Sequence, residues 1–184
     1  MASSDFHTRL AARVGISDDQ SAGLEQYFEL LSKWNRKINL TALSLDPLAD
    51  EALDRLFVEP IRAALQLENA GIEWFDLGSG GGSPAIPIKV IRPRMRLTMV
   101  ESRSRKAAFL AAVARELNLG STRVENSRFE DLNTEPESVD LITVRAVRTD
   151  GRLESACRRL LKPDGRLMLF GPSLSIVPRE TLGA

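Results

Sequence analysis

From Ile72 to Ile88 the chain reads Ile-Glu-Trp-Phe-Asp-Leu-Gly-Ser-Gly-Gly-Gly-Ser-Pro-Ala-Ile-Pro-Ile: a short apolar run, a glycine-dense turn and an apolar segment opened by proline. Four of the chain's 12 glycines fall between Gly78 and Gly82, so the backbone there bends where side chains are forbidden, or lets a ligand lie against it. A strand, a ligand loop and a helix N-terminus follow from that order. A glycine turn that merely joins strand to helix is the plainer alternative, but such connections are usually about 2–6 residues and seldom so rich in glycine.

The loop has the form D-x-G-x-G-x-G over Asp76, Gly78, Gly80 and Gly82. Dinucleotide sites favour G-x-G-x-x-G, and Ser83 stands where that third glycine would be. An acid ahead of the first glycine, with no Lys-Ser/Thr after the loop, better suits a cofactor with an amino group and no phosphate. S-adenosylmethionine is such a molecule. A nicotinamide-dependent oxidoreductase on a similar sheet would need the missing glycine and a hydride-transfer site.

The rest of the chain supplies the layers around this loop. Ser17 and Gln20 form a capping box, and Leu24, Tyr27, Phe28, Leu31, Trp34 and Ile38 recur at helical spacing after it. A second helix is expected over 48–57, with Pro60 opening a third that ends at Leu67. Pro84 and Pro87 suit only the start of a helix, which must stop before Arg92-Pro93. Strands are expected over 96–101, 122–124, 139–144 and 166–170. Helices are expected over 104–119, with Gly120 as its stop, and from a cap at Thr149 to Leu161.

Five strands alternating with helices predict a mostly parallel α/β sheet with helices on both faces, and ligands outside the carboxyl ends of its strands. Residues 1–70 read as an N-terminal helical cap and 71–184 as the cofactor-binding core. Glu101 ends the second strand, where an acid can accept both hydroxyls of an adenosine ribose. Being at a strand end, it should be replaceable without loss of the fold. Phe129, Glu130 and Arg145 fall at the same sheet edge, as do Arg103, Arg105, Lys106 and Arg148.

Charge narrows the partners. The 25 basic and 25 acidic residues cancel, so no global field draws the protein to polyanions, and nucleic-acid binding must come from a local patch. That edge supplies one, and Lys33, Arg36 and Lys37 at the end of the long helix supply another. Ordinary solvated charge, or cations complementing a helix C-terminus, explains the same residues. Cys157 has no partner for a disulfide, and no thiol metal site is expected. The only histidine, His7, falls in a segment expected to fray. With no signal-like start and no apolar run near the ~20 residues of a membrane helix, the chain is expected to be cytoplasmic and monomeric.

Leu31-Ser32-Lys33-Trp34-Asn35 through Asn39-Leu40-Thr41, the loop from Asp76 to Pro87, Val100-Glu101-Ser102 with Arg105-Lys106 and Phe109-Leu110, and Arg145-Ala146 together resemble the glucose-inhibited division protein B family. The resemblance runs from about Ser17 to Gly171. It implies a Rossmann-like class I methyltransferase sheet that uses S-adenosylmethionine. The acceptor it implies is N7 of a guanine in the 530 loop of 16S ribosomal RNA, within the small subunit.

It also implies cofactor contacts at Gly78, Ser83, Phe129, Glu130 and Arg145. Arg145 would close the pocket near the reacting base, a positioning role in catalysis, or would meet an RNA phosphate. The chain departs from the family where an Arg-His pair is replaced by Asp50-Glu51 and where a Lys-Gly is replaced by Phe170-Gly171. It also ends about one strand pair short of the usual seven, so the C-terminal strands are expected to be truncated. A non-catalytic RNA-binding descendant and a methyltransferase with another acceptor are the competing readings.

Overall fold

A computed structural model describes residues 2–148 and 150–182. Helix α1 (Ala2–Ala11) and helix α2 (Asp18–Asn35) come first. At the start of α2, Ser17 accepts from the Gln20 amide while the Gln20 side chain accepts from the Ser17 amide, satisfying two otherwise orphaned donors. The fraying expected around His7 is not found. Phe6 and Leu10 are 0% exposed, Phe6 stacks on Phe28 at 5.0 Å, and His7 Nδ1 lies 2.7 Å from Ser21 Oγ. The missed signal was the Phe6–Leu10 spacing, one helical turn that buries a stripe against α2.

Asp50, the first of the two acids that replace the family's Arg-His pair, is exposed and anchors α1. Its Oδ1 accepts from Arg9 at 2.8 Å and from Arg13 at 2.7 Å. The two helices expected around Pro60 are one continuous run: α3 (Asp50–Leu53), a π-helical turn (Asp54–Val58) and α4 (Glu59–Leu65). Pro60, in the first turn of α4 just after the π turn, carries no amide proton for the Leu56 carbonyl one turn back, and Ser83 Oγ donates to that carbonyl at 2.9 Å.

Then follow β1 (Glu73–Leu77), α5 (Ala85–Ile91), β2 (Arg96–Val100), α6 (Ser104–Glu116), β3 (Thr122–Glu125), β4 (Val139–Arg145), α7 (Gly151–Leu160), β5 (Leu161–Phe170) and β6 (Leu174–Pro178). Helix α6 stops earlier than expected, through Asn118 at φ 49° and not at Gly120. The expected cap Thr149 lies outside the described residues; Asp150 caps α7, accepting from the Arg152 and Leu153 amides. β6 is a sixth strand that the sequence reading lacked. Its half-exposed pattern carries no buried alternation to announce it.

The strand order is β3-β2-β1-β4-β5-β6, with only β6 antiparallel. One face of the sheet, through Trp74, Met99 and Leu141, packs on α1 to α6 in a single cluster. The other, through Phe75, Leu77, Ile142 and Val144, packs on Leu153, Cys157 and Leu160 of α7. β1 and β4 are neighbours whose following loops lead in opposite directions, and a crevice opens between them.

Candidate active site

The glycine loop turns over the tips of β1 and β2. The Gly78 and Ser79 amides both reach the Val100 carbonyl, at 2.9 and 3.0 Å. Gly78 takes φ 76°, and a Cβ there would sit 2.5 Å from Val147 Cγ2, so glycine is required by both conformation and space. At Gly80 (φ 52°) a Cβ would meet only the Gly78 carbonyl, at 3.7 Å. The loop is pinned from below by Tyr27, whose hydroxyl donates to the Gly81 carbonyl at 2.6 Å. Burial pushes that phenol's pKa up.

Glu101 is 7% exposed and clamps the loop: Oε2 accepts from the Gly80 amide at 2.9 Å and Oε1 from the Arg103 amide at 2.8 Å. Each oxygen keeps further acceptor capacity for a ligand. Glu101 lines a cleft of about 460 Å³, shared with Gly78, Gly80, Ser83 and Arg145. A second lobe of about 240 Å³ adjoins it across Gly78, Glu101 and Val147, and holds Ser127, Phe129 and Glu130. The Ser127 hydroxyl is buried there without a partner.

The far wall of the main cleft comes from the loop just after the basic end of α2. Asn35 Oδ1 accepts from the Leu40 and Thr41 amides at 2.8 and 3.0 Å, and its Nδ2 donates to the Thr41 carbonyl at 3.2 Å. This fold-back sets Leu40 and Thr41 against the glycines.

Arg145 ends β4, and the next residue, Ala146, turns the chain at φ 55°. The guanidinium donates to Glu59 Oε2 at 2.7 Å and lies over the Phe170 ring at 4.9 Å, while Nε is buried without a partner. Burial lowers the Arg145 pKa, and the Glu59 charge opposes that shift. Thus Phe170, in place of a second cation, supplies a face for the first.

Two expected ligands lie outside the cleft. Asp76 is 1% exposed beneath the loop, on the same sheet face as Trp74 and Thr143. Thr143 Oγ1 accepts from Trp74 Nε1 at 2.9 Å and donates to Asp76 Oδ1 at 2.5 Å. Burial pushes the Asp76 pKa up to about 6, against hydrogen bonds from Thr143 and Ser79. Gly82 (φ 92°) serves the turn, because a Cβ there would collide with Ile86. Ser83 lines the cleft; its hydroxyl proton goes to the Leu56 carbonyl, which leaves the oxygen as an acceptor.

The two basic groups lie on helices that pack together. Trp34 packs on Phe109 at 5.6 Å and Gln26 donates to the Glu116 carbonyl, so α2 and α6 run antiparallel. Lys33, Arg36 and Lys37 therefore neighbour the α6 start with Arg103, Arg105 and Lys106, beside the cleft mouth. Arg36 is paired with Asp46 at 3.3 Å; Arg103 and Lys106 line the cleft itself. Arg148 is exposed just past Val147, across the crevice. Tyr27, Arg55 and Leu43 also line the cleft, and Glu59 and Asn35 support Arg145 and the Leu40–Thr41 wall, with no local sequence signal to announce any of them.

Open backbone at Gly80, spare acceptor capacity on Glu101 and the unpartnered Ser127 hydroxyl fit a ligand with amino-acid, ribose and base parts. A mostly parallel sheet with a glycine loop at its crevice and an acid at the tip of β2 is the framework of the class I S-adenosylmethionine-dependent methyltransferases. One such enzyme, a SAM dependent methyltransferase from Aquifex aeolicus, superposes with TM-score 0.53 at 17% identity, over 67% of this chain and 69% of that one.

The sequence profile of GidB, described as rRNA small subunit methyltransferase G, matches residues 20–173. The protein named ribosomal RNA small subunit methyltransferase G from Xanthomonas euvesicatoria is 36% identical over 89% of this chain and 73% of its own length. The protein of that name from Streptococcus pneumoniae is 33% identical over 97% and 76%. The chain belongs to the GidB family of small-subunit rRNA methyltransferases, and its cofactor is S-adenosylmethionine.

Proposed function

We propose that this chain transfers a methyl group from S-adenosylmethionine to N7 of a guanine in the 530 loop of 16S ribosomal RNA, acting in the cytoplasm on the small subunit. The acid–base inventory of the cleft carries this reading. Among the described lining residues of the main cleft, Glu101 is the one carboxylate, and both its oxygens hold backbone amides. Tyr27 is buried and donates to a carbonyl, and Arg145 holds its proton. None of these three is placed to act as a general base, and Lys106, the one amine of the described lining, stands with Arg103 among the basic residues at the mouth. Guanine N7 needs none, since its lone pair is already available.

When bound, the cofactor supplies an electrophilic methyl group on a positive sulfur. The protein's part is then placement, since in-line displacement needs the reacting atoms about 3–3.5 Å apart. Gly78 and Gly80 let the backbone close on the ligand, Glu101 takes the ribose hydroxyls, and Phe129, Glu130 and Ser127 border the base. Arg145 stands between this cleft and the carboxyl end of β5, on the side where the acceptor would enter. Residues 1–70 act as a cap that supplies Tyr27 and the Leu40–Thr41 wall to the core of 71–184. The basic groups of α2 and α6 hold phosphates.

Incubation with labelled cofactor and undermethylated small subunits tests the reading. Label in the ribosomal RNA, mapped to one guanine N7, is expected. Cofactor binding without transfer would overturn it.

A further inference from the structure

We propose that Glu59 is a positioning residue for the methyl-transfer site, acting through Arg145; the proposal rests on the reading of Arg145 as a cleft residue. Among the described residues, Arg145 is held from two sides. Phe170 offers a flat face 4.9 Å from the guanidinium carbon, which permits sliding and rotation in plane. Glu59 supplies the directional contact, 2.7 Å from one terminal nitrogen, with the two side chains 11% and 25% exposed. The other charges acting on this cation are Arg55, which disfavours it, and Asp76, which favours it from beneath the loop.

The backbone that delivers Glu59 is built for the purpose. The π turn over Asp54–Val58 inserts one residue ahead of it. At 3.6 residues per turn, that rotates all later side chains by about 100° relative to a plain helix. The same turn presents the Leu56 carbonyl to Ser83 of the glycine loop. One helical irregularity thus reaches the tip of β4 and the loop after β1, the two sides of the crevice. Without the Glu59 charge, the guanidinium would be a desolvated cation with its Nε already unpartnered, and would swing toward water. The cleft would then be competent only for the fraction of time that Arg145 returned to its place.

A double-mutant cycle reads this directly. Cofactor affinity by calorimetry, transfer to small subunits and thermal midpoint are measured for Glu59→Gln, Arg145→Gln and the pair. Glu59→Gln should weaken cofactor binding or slow transfer about tenfold, corresponding to a competent fraction near one tenth. In the Arg145→Gln background it should do nothing further to either. An equal effect in both backgrounds, or none in either, overturns the proposal and makes Glu59 a structural residue. Silence of Arg145→Gln alone overturns instead the placement of Arg145 in the working site. If Glu59→Gln does not fold, Glu59→Asp keeps the charge but falls one methylene short. It should show a smaller loss of the same kind, and wild-type binding and transfer would overturn the proposal.

Discussion

Replacing Glu101 by alanine should damage the loop and the cofactor site together. Its two oxygens hold the Gly80 and Arg103 amides at 2.9 and 2.8 Å, so alanine leaves two backbone donors without partners. Hydrogen bonds to a charged group contribute about 1.5–3 kcal/mol each, and the orphaned amides can recover part of that from water. A loss of about 2–4 kcal/mol in unfolding free energy is expected, or about 5–15 °C in thermal midpoint for a chain of this size. The fold would not be indifferent to this residue, as its position at a strand end first suggests. A lost ribose contact would add a further 1.5–3 kcal/mol on cofactor affinity, roughly 10- to 150-fold in Kd. Urea unfolding with and without S-adenosylmethionine separates the two, because a ligand at about 100 times its Kd adds about 2.7 kcal/mol to the folded state. Glu101→Gln should fall between wild type and alanine, retaining one acceptor and setting an amide donor against the other N–H. Lost affinity with an unchanged midpoint would refute the clamp. A lowered midpoint with unchanged affinity would refute the cofactor role.

Gly78→Ala, forced to φ 76° with its Cβ 2.5 Å from Val147, should destabilise by about 1–3 kcal/mol and abolish measurable cofactor binding; normal calorimetry would show the loop to be roomier than this. Burial raises the Asp76 pKa from 3.8 to about 6, so its stabilising contribution is complete below about pH 4 and disappears as pH rises through about 6. That gap is worth about 3 kcal/mol, and Asp76→Asn should remove this part of the pH dependence in urea titrations, with parallel curves for the two proteins counting against it. If the basic groups of α2 and α6 hold phosphates, log affinity for ribosomal RNA should fall with log salt by roughly 0.7–0.9 per contact. The double reversal Lys33→Glu with Arg105→Glu should flatten that slope without altering cofactor affinity, and an unchanged slope would leave these residues as solvated surface.

Signals confined to one stretch of chain were legible in the sequence. The Ser17–Gln20 box, the positive-φ glycines at Gly78 and Gly80, and the apolar runs of β1, β2 and β4 depend on neighbours within a few residues, and each appears where expected. Placement of Glu101 followed from strand length alone. Features that needed a distant partner were not legible. Pro60 reads as a break, and nothing near it in the sequence shows that Ser83 will reach the Leu56 carbonyl. Asp50 reads as a free surface acid unless Arg9 and Arg13 are brought to it from a helix some forty residues earlier. Asp76 reads as a ligand because loop and strand adjoin in sequence, whereas the pleat turns it toward Thr143.

The three hydrogen bonds of Asn35 give the cleft a latch. All three run through one amide group, so a single side chain ties the Leu40–Thr41 wall of the cleft to the end of α2. One substitution at Asn35 would therefore reshape the far side of the cleft from the cap, while leaving the glycine loop, Glu101 and Arg145 untouched.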